Sequence, residues 1–122
     1  MSQGPRAKTL ERRMPPSGAP VVVDLEREEV ARGLEDGSIL LVDVREPHEF
    51  ASGHIPGSVS FPLSTFDPER LPAADGRRIV FSCAAGVRSV HAIHIAQAAG
   101  LSLREHYRGG FKEWLMWGGD VA

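Results

Sequence analysis

Ile39-Leu40-Leu41-Val42-Asp43-Val44 is an apolar run of β-prone residues broken by a single carboxylate near its end. A strand with one wet face alternates apolar and polar residues. An unbroken run belongs to a strand buried on both faces, as in a parallel sheet covered by helices on either side. Arg78 to Ser82, with Ile79-Val80-Phe81 at its centre, repeats the signature.

Around these two segments the pattern alternates. Val21 to Val23 read as a short strand. Glu26 to Asp36 read as a helix with Leu25, Val30 and Leu34 near one face and Gly37 as its C-cap. Glu46 to Ala51 suit a short helix, Gly53 to Gly57 a turn, and Ser58 to Phe61 a strand ended by Pro62. Residues 63–76, with Pro68, Pro72 and Gly76, read as a surface excursion with a helical turn or two. Ser89 to Ala99 is an Ala-rich helix closed by Gly100, Leu103 to Tyr107 a last strand and Gly110 to Trp117 a last helix. The expected fold is therefore α/β, a mainly parallel sheet with helices on both faces. In such sheets sites form beyond the carboxyl ends of the strands, where Asp43 with Arg45 and the segment Cys83 to Arg88 fall.

With 122 residues, the chain has room for one domain. Met14 to Pro20 hold three prolines and a glycine, so residues 1–20 are expected to be a flexible tail and 21–120 the domain, about 100 residues. The tail carries Arg6, Arg12 and Arg13, but Glu11 and Pro15-Pro16 argue against an organelle transit peptide. The 14 basic and 16 acidic residues are interspersed, which gives no single-sign field for nucleic acid or an anionic membrane. No run of some 18 apolar residues is present to span a bilayer. A single cysteine excludes an intrachain disulfide and a Cys-rich metal site, in keeping with a cytoplasmic location.

The informative segment is Phe81-Ser82-Cys83-Ala84-Ala85-Gly86-Val87-Arg88-Ser89, in which the cysteine leaves a buried strand and a helix starts within six residues. Small residues let the chain curl, and Gly86 can take a positive φ, so successive N–H groups can turn inward as a concave nest. A thiol with an ordinary pKa near 8.5 is only ~3% ionised at pH 7. Making the thiolate the major form needs a shift of about two units, roughly 2.7 kcal/mol, and a helix terminus supplies about 0.3 to 2. Several N–H donors on the sulfur together with the Arg88 cation would close the difference. The bland alternative is a small buried hydrophobe, but strand end, glycine, cation and helix start coincide here.

At this point the sequence resembles the rhodanese family, over nearly the whole chain from about Val21 to Gly118. Cys83-Ala-Ala-Gly-Val-Arg88-Ser89 is similar to the family's active-site loop. Leu41-Val-Asp43-Val-Arg45-Glu46 with Glu49-Phe50 resembles its first signature, Gly53-His-Ile-Pro-Gly57-Ser58 its second, and Gly109-Gly110-Phe111 with Trp114 its terminal one. The resemblance implies a central five-stranded sheet and a two-step reaction. In it Cys83 takes a sulfane sulfur from thiosulfate or from a low-molecular-weight or protein persulfide, and cyanide, a thiol or a protein acceptor then removes it. No cofactor, nucleic acid, metal or membrane is implied. Ala84, Ala85, Gly86, Val87, Arg88 and Ser89 would bind the transferred sulfur, with Arg88 orienting an anionic donor or acceptor.

Asp43 and Arg45 are supporting candidates beneath the site, read equally as a structural ion pair. His54 is expected to close its turn. His91 and His94 are expected on a solvated helix face, since two ligands are too few for a metal, and Phe111, Trp114 and Trp117 are expected to pack the last helix. Neutral Ala84 and Ala85, with the negative Glu49, make a dianionic donor less assured. The rivals are a cysteine phosphatase or arsenate reductase and a rhodanese-like binding or regulatory module. Four residues separate Cys83 from Arg88, one fewer than in the related phosphatases, and a loop this short suits one sulfur atom.

Overall fold

The computed structural model describes residues 20–122. The tail expected over residues 1–20 falls outside that range apart from Pro20. The described residues form one parallel five-stranded sheet of β1 (Val23–Leu25), β2 (Ile39–Asp43), β3 (Val59–Ser60), β4 (Arg78–Ser82) and β5 (Glu105–Tyr107), in the order β1-β5-β4-β2-β3. Helices α1 (Arg27–Asp36), α2 (Pro47–Ser52), α3 (Arg88–Ala98) and α4 (Gly110–Met116) follow strands in turn.

The unbroken apolar runs sit where their composition requires. Every residue of β2 is buried, and its side chains divide between the two faces of the sheet. Ile39 and Leu41 pack with Val30 of α1, Val80, Tyr107 and Trp114 of α4. Leu40, Val42 and Val44 pack with Phe81, Cys83 and the α3 residues Ala92, Ile93 and Ala96. Burying side chains of this size contributes about 1.5–3 kcal/mol each, so β2 holds both layers to the sheet. All pairings are parallel, and the carboxyl ends of β2 and β4 lie side by side with Asp43 opposite Ser82.

The edges differ from expectation. β1 begins at Val23 rather than Val21, because pairing Leu25 with Tyr107 buries Leu25 while Val22 and Val23 stay exposed at the sheet edge. Val21 is bound instead by the buried side chain of Gln97 on α3. Its N–H donates to Gln97 Oε1 (3.0 Å), and Gln97 Nε2 donates to the carbonyls of Val21 (2.7 Å) and Leu103 (2.9 Å). With the Leu103 carbonyl held by this amide, β5 starts at Glu105 rather than Leu103. Residues 63–76 contain two 3₁₀ turns, Leu63–Thr65 and Pro68–Arg70. They are not a purely surface excursion, since Leu63, Phe66 and Leu71 pack on the α3-side core and Phe66 lies 5.7 Å from the Phe81 ring.

Replacing Gln97 by Leu would leave the part-buried backbone groups of Val21 and Leu103 without these partners. We expect Gln97→Leu to lower unfolding stability by about 1–3 kcal/mol, read from urea midpoints at an unchanged m-value.

Candidate active site

Cys83 is the first residue beyond β4, and it is buried. The chain turns at once. The Cys83 and Ala84 carbonyls accept from the N–H groups of Phe111 (2.8 Å) and Lys112 (3.0 Å) in the first turn of α4. Gly110 makes this approach feasible. It holds φ +68°, and a Cβ there would run into the backbone carbonyls of Cys83 and Ala84. With the loop carbonyls pointing at α4, the loop amides face the other way, toward the sulfur. Gly86, at φ +85° with its α-carbon against the Arg108 carbonyl, donates its N–H to Cys83 Sγ at 3.1 Å. The Ser89 N–H, in the first turn of α3, donates to the same sulfur at 3.4 Å, and Ser89 Oγ lies 3.6 Å from it. Sγ thus serves as the N-terminal cap of an 11-residue helix whose own N-cap, Val87, offers no side-chain hydrogen bond.

Two influences oppose each other on this thiol. Burial pushes its pKa up. The Ser89 hydroxyl and amide, with the amides of Ala85 and Gly86, pull it down, and the net direction is down. Of the expected loop residues, Gly86 and Ser89 donate hydrogen bonds to Cys83 Sγ, and the Ala85 amide also acts on it. Ala84 shapes the loop through its carbonyl, and Ala85 and Val87 are exposed at its rim.

Arg88 departs from the simple expectation of a cation open to an anion. Its guanidinium makes a two-pronged pair with Glu49 of α2, Nη1 to Oε1 at 2.7 Å and Nη2 to Oε2 at 3.1 Å. Arg88 holds the Glu49 carboxyl down, to about 2, against the opposing effect of burial. Glu49 Oε1 also accepts from the Glu46 N–H (2.9 Å), closing a capping box at the start of α2. One carboxylate thus joins the starts of α2 and α3.

Asp43 and Arg45 are both buried and form a bidentate pair, Nη2 to Oδ2 at 2.7 Å and Nε to Oδ1 at 3.0 Å. Arg45 also donates to the Gly53 carbonyl (2.9 Å) and lies 4.5 Å over the Phe111 ring. Among the described residues no hydrogen bond links either one to Cys83, so of the two readings the ion pair is the one with contacts to support it. It ties β2 to the turn after α2 and to α4. His54 closes that turn, with Nδ1 2.8 Å from the Phe50 carbonyl and its ring stacked on Phe50. His91 and His94 sit 6.5 Å apart, and among the described residues they belong to no cluster of three or more metal-ligating side chains. Trp114 packs in the core and donates to the Asp120 carbonyl (2.7 Å), while Trp117 is exposed beneath the Arg27 guanidinium.

A group absent from the sequence-based expectations stands behind Ser89. His106 of β5 is buried, with Nδ1 2.7 Å from Ser89 Oγ and Nε2 2.7 Å from Asp24 Oδ1 of β1. The available signal was a histidine inside the expected last strand. Its partners lie 17 and 82 residues away and depend on β1 joining the sheet beside β5.

A parallel α/β sheet with a cysteine cradled by amides at the carboxyl end of a central strand defines a domain whose candidate site is built around one thiol. The family model for the Rhodanese-like domain matches residues 26–116, and the chain belongs to that family. It is 34% identical over 101 residues to the thiosulfate:glutathione sulfurtransferase of Saccharomyces cerevisiae, covering 72% of this chain and 73% of that one. It is 39% identical over 80 residues to an uncharacterized Synechocystis protein, covering 66% of this chain and 45% of the longer relative. The human single-domain sulfurtransferase superposes with a TM-score of 0.64 at 29% identity, over 81% of this chain and 97% of that one.

Two predictions follow from the charges. Arg45→Met would strand a buried carboxylate and should cost about 3–5 kcal/mol in urea unfolding. For Glu49, the folded pKa of about 2 lies below the ordinary 4.5, so its contribution to stability is present above pH 4.5 and lost as pH falls toward 2. The stability difference between wild type and Glu49→Gln should be constant above pH 5 or so and vanish near pH 2, read by urea unfolding across that range.

Proposed function

We propose that this chain is a sulfurtransferase, with its domain over residues 21–120, which carries sulfane sulfur as a persulfide on Cys83. The observation that carries this reading is the convergence of the Gly86 and Ser89 amides on Cys83 Sγ. In the first half-reaction the Cys83 thiolate attacks the outer sulfur of the donor. With thiosulfate, the S–S bond of the donor breaks and sulfite leaves with its electron pair. With a persulfide, a thiolate leaves. The product is a Cys83 persulfide whose outer sulfur is anionic and lies among the loop amides of Ala84 to Ser89. An acceptor thiolate or cyanide then attacks that outer sulfur, and Cys83 departs as the thiolate with which the cycle began. The chemistry uses no cofactor.

The Arg88–Glu49 pair bears on the donor. A guanidinium already neutralised by a carboxylate offers little net attraction to a dianion. This favours a donor that places less charge at the loop, such as a low-molecular-weight persulfide, over free thiosulfate, with a thiol or protein thiol as acceptor. Among the described residues no helix is long and apolar enough to cross a membrane, and a lone thiol that must stay reduced suits the cytoplasm.

The test is a donor panel of thiosulfate, glutathione persulfide and mercaptopyruvate, read by thiocyanate formed from cyanide and by the intact mass of the protein. Wild type should gain one sulfur atom and turn over, and Cys83→Ala should do neither. Absence of added sulfur from every donor would instead favour a binding module, and phosphate ester hydrolysis dependent on Cys83 would favour a phosphatase. Glu49→Gln should raise kcat/KM for thiosulfate by about three- to tenfold, because it removes the charge that neutralises Arg88.

A further inference from the structure

We propose that His106, held by Asp24, is the proton store for Cys83 and exchanges its proton with the thiol through the Ser89 hydroxyl. The inference rests on geometry that sulfur transfer as written above does not use. An ionised carboxylate only accepts hydrogen bonds, so the 2.7 Å contact between Asp24 Oδ1 and His106 Nε2 places a hydrogen on Nε2. In the neutral ring Nδ1 is then an acceptor. The 2.7 Å contact to Ser89 is thereby a hydrogen bond donated by the serine hydroxyl. With that hydrogen committed to His106, the Ser89 oxygen faces Sγ with its lone pairs, 3.6 Å away, and accepts from the thiol S–H.

The line Cys83, Ser89, His106, Asp24 therefore conducts in one direction in its resting state and in the other once ionised. The thiol proton passes to Ser89 Oγ as the serine proton passes to His106 Nδ1. The S–H bond breaks and an N–H bond forms, with no net change at the serine. The resulting imidazolium donates to both Asp24 and Ser89, and the serine hydroxyl is released to donate to the thiolate. The Cys83–Ser89 and Ser89–His106 contacts survive with their polarity reversed, and the His106–Asp24 contact keeps its direction. The direct amide bonds from Gly86 and Ser89 stabilise the anion from one side, and the relay takes the proton to the other.

The surroundings of His106 support a single function for the ring. It sits between Phe81 of β4 and Asp24 of β1 in the sheet register, with Ser89 of α3 above it. Asp24 is the charged group in contact with it. Asp24 is in turn flanked at the end of β1 by Arg108, which is paired with Glu26 at 2.9 Å. A histidine needed merely to fill space would not require a carboxylate on one nitrogen and a hydroxyl leading to the reactive sulfur on the other. His106 touches Cys83 only through Ser89, so it is a positioning residue for the thiolate. The proposal deepens the sulfurtransferase reading by assigning how its nucleophile is prepared.

The test titrates the thiol rather than the activity. With one cysteine in the chain, thiolate absorbance and the iodoacetamide alkylation rate report Cys83 directly as a function of pH. His106→Gln should raise the Cys83 pKa by about one unit, with about a tenfold slower alkylation below that pKa. Asp24→Asn, at a half-exposed position that tolerates change, should move it the same way by less. Reciprocally, nitrogen NMR of His106 in the thiol form should show a hydrogen on Nε2 and none on Nδ1. A Cys83 pKa unmoved in folded His106→Gln and Asp24→Asn proteins overturns the relay, and so does a His106 ring with its hydrogen on Nδ1 in the thiol form. Failure of every sulfur donor with the Cys83 shifts in these variants intact would sink the sulfurtransferase reading and leave the relay standing.

Discussion

The N–H groups that open α4 hold the carbonyls of Cys83 and Ala84, and the arrangement of the sulfur depends on this contact. A peptide unit cannot turn its carbonyl toward one side without turning its N–H toward the other. With the Ala84 carbonyl held by Lys112, the Ala85 N–H of the same peptide unit turns toward Sγ, and the Gly86 and Ser89 amides join it from further along the loop. The same contact uses two of the N–H groups that a helix start leaves unpaired, so α4 is capped by the loop while it shapes the loop. Local and global requirements coincide at Gly110, where any side chain would collide with the carbonyls it must admit.

This loop could not hold its form on a loose platform. The buried Asp43–Arg45 pair supplies rigidity from below, reaching the Gly53 carbonyl and the face of Phe111, the residue whose amide holds the Cys83 carbonyl. A buried ion pair is weak as a source of stability, because desolvation offsets much of its Coulomb energy. Its strength lies in direction. Arg45 satisfies the aspartate and a backbone carbonyl in a fixed fork, so β2, the turn after α2 and α4 are set relative to one another. The Glu49–Arg88 pair does the same between α2 and α3 at the surface of the site.

Much of this was legible in the sequence because it is local or periodic. The two apolar runs announced central buried strands, and β2 and β4 are buried on both faces as such runs require. Gly86 and Ser89 could be named because the loop spans only seven residues from Cys83. The sheet edges were not legible. A three-residue edge strand such as β1 has too few residues for a period, and its register was decided by Leu25 meeting Tyr107 across the sheet. Long-range polar pairs were equally hidden. Nothing local in Gln97, Glu49 or His106 names a partner, since each is defined by strand order or by the packing of one helix start on another.

A sulfur this buried poses a question of access that the proposed persulfide would answer. Cys83 is 1% exposed, so the thiolate presents little more than one edge to an incoming donor. In the proposed persulfide, an S–S bond of about 2.05 Å would place the outer sulfur that much further from the buried Sγ. There, among the loop amides, the outer sulfur would be the atom that an acceptor reaches. An acceptor would then meet the atom to be transferred before it could meet the cysteine. Burial lowers the reactivity of a free thiol toward bulky reagents, yet in a sulfur carrier it directs attack to the outer sulfur and leaves the bond to the protein as the one that breaks.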